Sequence, residues 1–475
     1  MPCPQPGMAK PFDVQLGPTE PSDQEPVQLV ARCRQIRRMQ CTNDRRLGET
    51  VHDVIESVDH GSDAGFSSDA FEHLLGFQHA ARVADGLLSL TVPVTASPLL
   101  LRNMNAAEMV SALEALGVRT SVARSIFSRI QRHGDTDLSG LRHLSHVLRR
   151  AVEAVAIFPD LQVIERRQSA DGFVKYLFAL PDGHQVETVR IPLPDPDDAR
   201  RLKEARARGE VSGLQPLPTS KYTVCVSSQV GCALACGFCA TGRLGAIRNL
   251  QPWEILAQLH HVARDASHPV RGVVFMGMGE PFLNYDNVMH AARIMSDSAG
   301  PAIAAEKITI STAGVLPKIR QFTEEANPQR LVFSIGSPFS DQRAQLMPIE
   351  KRWPLDTLMP AIADHASATR QRATLAYVAI GGQNMSRAHA VALADRIGNI
   401  RARVNLIDVT DPEHGYFPPS KEEIDGFFSE LGGRKIPVVR RYSGGSDIGA
   451  ACGTLAATQQ GGAIVLESLV RERTR

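Results

Sequence analysis

The sequence predicts an α/β protein: a partial barrel of the (βα)6 type, preceded by an N-terminal helical accessory domain and a small β-hairpin segment. Three observations carry this. From residue 221 onward, short β-branched and apolar runs alternate with stretches of helical period, about six times in succession. No Gly-x-Gly-x-x-Gly turn opens the first unit, which argues against an open dinucleotide-binding sheet. Between 106 and 157 the apolar spacing is helical throughout.

Composition sets the outer bounds. The chain has 475 residues, enough for about three domains and a large core. Lys and Arg total 52 against 51 Asp and Glu. That balance excludes a wholly polycationic protein, though a local basic face can still act inside a neutral chain. No apolar run reaches the roughly 18 residues of a membrane span, and Met1-Pro2-Cys3-Pro4 does not open a secretory signal. Eight cysteines are few for a disulfide scaffold of this length, so a reducing, cytoplasmic location is expected.

In chain order, residues 1–26 are rich in Pro, Gln and acids and read as a disordered leader. Residues 27–103 read as a partly helical extension. Its stretch 27–48 is arginine-rich, a solvated basic helix more than an RNA-contacting arm, and a helix is expected near 69–84. Residues 104–160 form the accessory domain. Val110, Leu113 and Leu116 make one face; Val122, Ile126 and Ile130 a second; Leu138, Leu141, Leu144 and Leu148 a third. Its polar faces carry Arg124, Arg129, Arg132, Arg142, Arg149 and Arg150. Residues 161–193 change to a period of two around the turn Pro181-Asp182-Gly183, a hairpin. Residues 194–220 read as a charged insertion. The barrel follows over 221–442, with strands expected at 222–227, 272–276, 307–311, 331–335, 374–380, 403–408 and 436–441. Residues 443–475 form a C-terminal segment. In such a barrel, chemistry collects at the C-terminal ends of the strands.

The chemistry-bearing signal is Cys232-x3-Cys236-x2-Cys239, directly after the first barrel strand. Gly231, Ala233, Ala235 and Gly237 let this loop close tightly on a ligand. Structural zinc ordinarily takes four ligands and no histidine stands at a usual spacing, so zinc is the minority reading. Three thiolates suit a [4Fe–4S] cluster with one iron open to a further ligand.

This spacing on the first strand of an α/β barrel resembles the radical S-adenosylmethionine (SAM) superfamily. Further segments resemble the RlmN/Cfr family of RNA adenine methyltransferases within it. They are Lys175-Tyr176-Leu177-Phe178, Glu187-Thr188-Val189, the run from Cys225 to Cys232, Arg248-Asn249-Leu250, and Val273 to Pro281. Ile308 to Val315, Met347-Pro348-Ile349, Asp447-Ile448 and Ala450-Ala451-Cys452-Gly453 complete the series. The matches are ordered and span most of residues 106–460.

The resemblance implies a role for each residue. Cys232, Cys236 and Cys239 would hold the cluster. Gly279, Glu280, Ser311 and Ser334 would contact SAM. Cys452 would carry a methyl group taken from one SAM, while a second SAM supplies a radical that activates it. Glu187 would remove the proton from the modified adenine, and Cys225 would release the product as a disulfide with Cys452 forms. Carbons 2 and 8 of adenine are not nucleophilic, which is why a radical route is needed. Which carbon reacts, and whether the RNA is rRNA or tRNA, stays open. The implied partners are RNA and a one-electron donor such as flavodoxin or ferredoxin, acting on a monomer with no membrane association.

The chain departs from the family's pattern in places. Gly336 replaces the His of Ser-Leu-His, Phe339 and Thr410 replace Asn, and Gly444 and Ser446 replace an Arg and an Asp. The alternative is the same radical chemistry on a peptide or small molecule. A non-enzymatic iron–sulfur sensor would need neither Glu187 nor Cys452.

Overall fold

The computed structural model describes residues 98–455 apart from 143, 199, 202–218, 410 and 442. The expectations for residues 1–97, most of the 194–220 insertion, Thr410 and 456–475 fall outside the described residues.

The accessory module is built from α1 (Ala106–Glu114), α2 (Thr120–His133) and α3 (His146–Glu153). Asn105 and Glu108 form a reciprocal capping box that starts α1. Gly134 ends α2 in the left-handed conformation, and a Cβ there would come within 2.7 Å of His260. The third apolar face expected from Leu138, Leu141, Leu144 and Leu148 is not one helix. Leu138, Leu141 and Leu144 are buried from turns, and only Leu148 lies on α3. The Asp137 carboxylate accepts the Ser139 N–H at 2.7 Å, and Ser145 caps α3, so local side-chain bonds displace helix here.

One ten-stranded sheet organises the rest, and its strand order follows the chain. Strands β1 (Gln162–Gln168), β2 (Val174–Ala179), β3 (Gln185–Leu193) and β4 (Lys221–Cys225) pair antiparallel. From β4 the sheet turns parallel through β5 (Val270–Phe275), β6 (Ile308–Thr312), β7 (Arg330–Ile335), β8 (Ala373–Ala379), β9 (Ala402–Asp408) and β10 (Val438–Arg441). The hairpin expected over 161–193 is thus three strands, continuous with the barrel sheet. Helices α4 (Pro252–Asp265), α5 (Tyr285–Ser296), α6 (Leu316–Glu324), α7 (Leu355–Thr369), α8 (Arg387–Ile397) and α9 (Lys421–Gly433) cross between the parallel strands. Every residue of β8 is buried, as a central strand covered on both faces must be. The short edge strand β10 carries Arg440, which pairs with Asp408 at 2.6 Å and discourages further strand addition. Among the described residues no helix is long and apolar enough to cross a membrane.

The accessory module is fastened to the barrel through α4. Arg102, almost wholly buried, donates to Asp160 Oδ1 at 2.8 Å and faces His260 Nδ1 at 3.3 Å, while His260 Nε2 meets the Gln131 carbonyl at 2.8 Å. Burial, and then the Arg102 charge, push His260 down to about 3, so the ring is neutral at pH 7. An unfolded histidine titrates near 6.5. The unfolded state therefore binds the extra proton between pH 6.5 and 3, and stability complete above 6.5 drains as pH falls through that window. We expect urea midpoints to fall between pH 7 and 4.5, and to fall less in His260→Gln; an equal fall in both would show that this ring does not govern acid lability.

Candidate functional site

The cysteine loop leaves β4 at Cys225 and is bracketed by a two-stranded ribbon, Gln229–Gly231 against Ala246–Asn249. Gly231 has φ +72°, and a Cβ there would lie 1.8 Å from the Gly245 carbonyl oxygen, so only glycine fits. Ala235 also takes a positive φ, 51°, bending the loop between Cys232 and Cys236. Burial pushes all three thiols above their usual range; neighbouring cysteines push Cys232 and Cys236 further, while Arg343 opposes the rise at Cys236. Three crowded thiols in a dry loop resist ionising alone, and a bound cation is what would draw their protons off. Among the described residues no three His, Cys, Asp or Glu side chains are already gathered closely enough to hold a metal ion. All three nevertheless line one cavity of about 170 Å³, together with Gly279, Glu280, Ser311, Ser334 and Cys452. This donor set fits a cluster with one open metal position, with thiolates on one wall and polar strand ends on the other.

The polar wall is set by the sheet. Ser311 ends near the top of β6 and Ser334 near the top of β7, with their hydroxyl oxygens 3.4 Å apart. Gly279, at φ +99°, lies so close to Gln229 that a Cβ would approach its Cβ to 2.6 Å. The Glu280 carboxylate accepts the N–H groups of Phe282 at 3.0 Å and Ala313 at 2.8 Å. Burial raises it to about 7, against the pull of those two hydrogen bonds.

Cys225 and Cys452 meet at a second, smaller cavity of about 60 Å³, which Met276 and Arg441 also line. Burial, with the nearby Cys452, pushes the Cys225 thiol up to about 12, and Arg441 works in the opposite sense. Cys452 lines both cavities and is itself exposed. The C-terminal segment is brought there by a series of bonds. Asp447 accepts from the Ser169 hydroxyl and from the Ala170 N–H, and the Gly445 N–H donates to Asp171 at 3.0 Å. The Ala240 N–H donates to the Gly453 carbonyl at 2.8 Å, and the Thr241 hydroxyl to the Leu455 carbonyl at 2.7 Å. A Cβ at Gly444 would strike the Phe173 ring at 2.3 Å, which explains why this chain has no arginine there. Gly336 lies against Met347, whose Sδ would be 2.9 Å from a Cβ.

Glu187 lies on β3, two residues from Val189, which lines the Cys225 cavity, and so on the same face. It does not itself line either cavity. Its Oε1 pairs with Lys175 Nζ on β2 at 2.9 Å, both side chains being largely buried. Lys175 in turn reaches within 3.3 Å of a Cβ position at Gly449. Sequence reasoning saw Lys175 only as part of a matching segment, because a cross-strand partner is invisible without register. Arg343 and Gln258 were missed altogether. Arg343 is fully buried, pairs with Glu350, and donates to the Ala313 carbonyl at 2.8 Å beside Glu280's own partner. Gln258 is also fully buried. It accepts from Ser227 N–H at 2.8 Å and Thr188 Oγ1 at 2.6 Å, and donates to Ser227 O at 3.0 Å.

The comparisons with known proteins bear on this geometry. Residues 226–394 match the Radical SAM superfamily model. A probable RNA methyltransferase of Myxococcus xanthus is 47% identical over 77% of this chain and 96% of its own length. The dual-specificity RNA methyltransferase RlmN of Syntrophobacter fumaroxidans is 36% identical over 76% of this chain and 98% of its own. The chain belongs to the RlmN/Cfr family of radical SAM RNA methyltransferases. A solved radical SAM methyltransferase from Sphaerobacter thermophilus superposes with a TM-score of 0.68 at 36% identity, covering 76% of this chain and all of that one. As an RlmN/Cfr-family enzyme it uses a barrel that is radical SAM in kind, with the accessory helices and antiparallel strands attached to it.

The arginines of the accessory module divide in two. Arg129 pairs with Asp135 at 2.6 Å, Arg132 donates to Gly300 O at 3.0 Å, and Arg149 donates to Leu141 O at 3.0 Å. These three hold structure. Arg124, Arg142 and Arg150 are exposed.

Replacing Gln258 with Leu would leave the Ser227 N–H and carbonyl and the Thr188 hydroxyl without this partner. Each buried group left so costs about 1–3 kcal/mol, so urea denaturation should show a loss of several kcal/mol. A loss below about 1 kcal/mol would mean that water replaces the amide.

Proposed function

We propose that this enzyme methylates a ring carbon of adenine in RNA through an S-methylated Cys452, spending two SAM per turnover. The observation that carries the reading is Cys452 lining both the three-thiol cavity and the Cys225 cavity. A methyl carrier must meet its donor on one side and its resolving thiol on the other. Cys232, Cys236 and Cys239 would hold a [4Fe–4S] cluster, and Glu280, Ser311 and Ser334, which line the same cavity, would receive SAM's polar groups beside it. That pair, when bound, supplies a 5′-deoxyadenosyl radical.

The chain's own residues do the rest. Cys452, exposed, takes the methyl group on Sγ. Once its carbon is bonded to the adenine, Glu187 takes the ring proton. Lys175 pairs with the Glu187 carboxylate at 2.9 Å and fixes its orientation. The Cys225 thiolate then attacks Cys452 Sγ; the bond from that sulfur to the transferred carbon breaks, the carbon leaves with the electron pair and takes a proton to become the product's methyl group, and the Cys225–Cys452 disulfide forms. Arg441 eases the ionisation of Cys225 that this step requires. The disulfide must be reduced before the next cycle, and the cluster needs a one-electron donor such as flavodoxin or ferredoxin. A cytoplasmic monomer accords with these requirements.

Cys225→Ala should stall with RNA covalently attached through Cys452. A nuclease-treated denaturing gel should show a shifted band, which the additional change Cys452→Ala abolishes. Full methylation by Cys452→Ala would end the proposal. The RNA itself should be held partly by the accessory module. Changing Arg124, Arg142 and Arg150 together to Ala should weaken RNA binding about tenfold, since exposed phosphate contacts each contribute a salt-dependent increment. Unchanged affinity would place the RNA elsewhere.

A further inference from the structure

The barrel has a second large cavity, at the end away from the cysteine loop. It measures about 490 Å³ and is lined by Arg330, Arg370, Arg372, Arg401, Arg403 and Arg441, with Glu306 the single acid among its lining residues. Arg330 opens β7, Arg372 immediately precedes β8, and Arg401 immediately precedes β9. The cavity is therefore at the N-terminal ends of these strands. Parallel register puts Val332, Thr374 and Arg403 side by side. Two residues earlier on each strand, Arg330, Arg372 and Arg401 form a row on the same face.

This crowding of like charge is unusual for the molecule. Other arginines of the barrel and its seams are paired, as Arg102 with Asp160, Arg343 with Glu350 and Arg440 with Asp408. Among the described residues, none of the six cavity arginines makes an ion pair. Arg403 Nε donates to Thr374 Oγ1 at 2.9 Å, and Arg401 donates to the Arg370 carbonyl at 3.3 Å. Burial, and then the charges of Arg330, Arg372 and Arg441, lower the basicity of Arg403, which is what unneutralised neighbours do. Guanidinium forks match phosphate oxygens two at a time. The cavity has the volume of a small-ligand site and is concave, so it suits a compact anion, not a nucleic-acid helix.

We infer that this arginine-lined cavity binds a small oligophosphate, an anion with two or more linked phosphate groups, free or on a nucleotide. The site opens at the end of the barrel away from the cysteine loop, and its row of Arg330, Arg372 and Arg401 does not depend on the proposed methyl transfer. It shares one wall residue, Arg441, with the Cys225–Cys452 cavity.

Isothermal titration of the full-length protein at low salt with sodium tripolyphosphate should show saturable one-to-one binding that weakens as salt rises. Arg372 and Arg401 are exposed at the rim, so Arg372→Gln/Arg401→Gln should fold normally and bind at least tenfold more weakly. Arg403→Lys, which keeps the charge and loses the fork, should fall between. ATP binding more tightly than tripolyphosphate would point to a nucleotide as the source; equal affinity would point to the phosphate chain alone. The absence of saturable binding at millimolar tripolyphosphate would overturn the inference. So would equal affinity in the rim variant, or a single-stranded RNA oligonucleotide being the only probe whose binding that variant loses. Iron content after anaerobic reconstitution should match wild type in these variants, so failure of the methyltransferase reading leaves the result intact.

Discussion

Everything at the reactive end of the barrel hangs on one buried amide. Gln258 projects from α4 and meets the Ser227 backbone on both its N–H and its carbonyl, while accepting from Thr188 on β3. Ser227 Oγ then donates to the Glu187 carbonyl at 2.6 Å and accepts the Met278 N–H at 2.9 Å. Four segments are thereby locked together: the strand bearing Glu187, the end of the strand bearing Cys225, the glycine-rich turn before Glu280, and the helix behind them. Satisfied polar networks of this kind specify one geometry, because any shift strands a buried donor or acceptor. The position of Glu187 relative to Cys225 is thus a property of the core and not of a loop.

The second requirement is to keep one thiol accessible among several that are not. Burial is the largest of the causes that push the Cys225 thiol and the three loop thiols above their usual range. Cys452 is exposed and rides on a short return segment pinned at both ends, by Asp447 and Gly445 on one side and by Gly453 and Leu455 on the other. The pins are backbone groups and short side chains, so the segment is held at its ends while Cys452 between them stays open to solvent. This arrangement leaves Cys452 facing both cavities.

Arginine use separates the molecule's surfaces by purpose. Arg132 and Arg149 spend their donors on backbone carbonyls. Arg102 sits beside a neutral His260 and balances its own charge against Asp160. The barrel floor departs from this economy, with six arginines collected around one acid, Glu306, and none of them in an ion pair among the described residues. Mutual repulsion, and at Arg403 partial burial, work against such a collection, so its presence asks for a ligand in a way that an isolated solvated charge on a helix does not.

Local sequence determined the parts of this protein whose cause is local. The alternation of strand and helix periods placed the seven parallel strands to within a few residues, and the Cys-x3-Cys-x2-Cys loop announced its own ligand chemistry. The same reasoning erred where side chains compete with the backbone nearby: Asp137 and Ser139 made turns where leucine spacing suggested helix. It also divided the 161–193 strands from a sheet they belong to, because strand pairing is a property of two segments and not of one. Tertiary structure alone decided that Lys175 faces Glu187, that Gln258 ties four segments together, that Cys452 reaches Cys225, and that six scattered arginines share a cavity. Each of these joins residues far apart in the chain through register or chain reversal, and nothing in a local pattern records which distant partner a buried polar group will find.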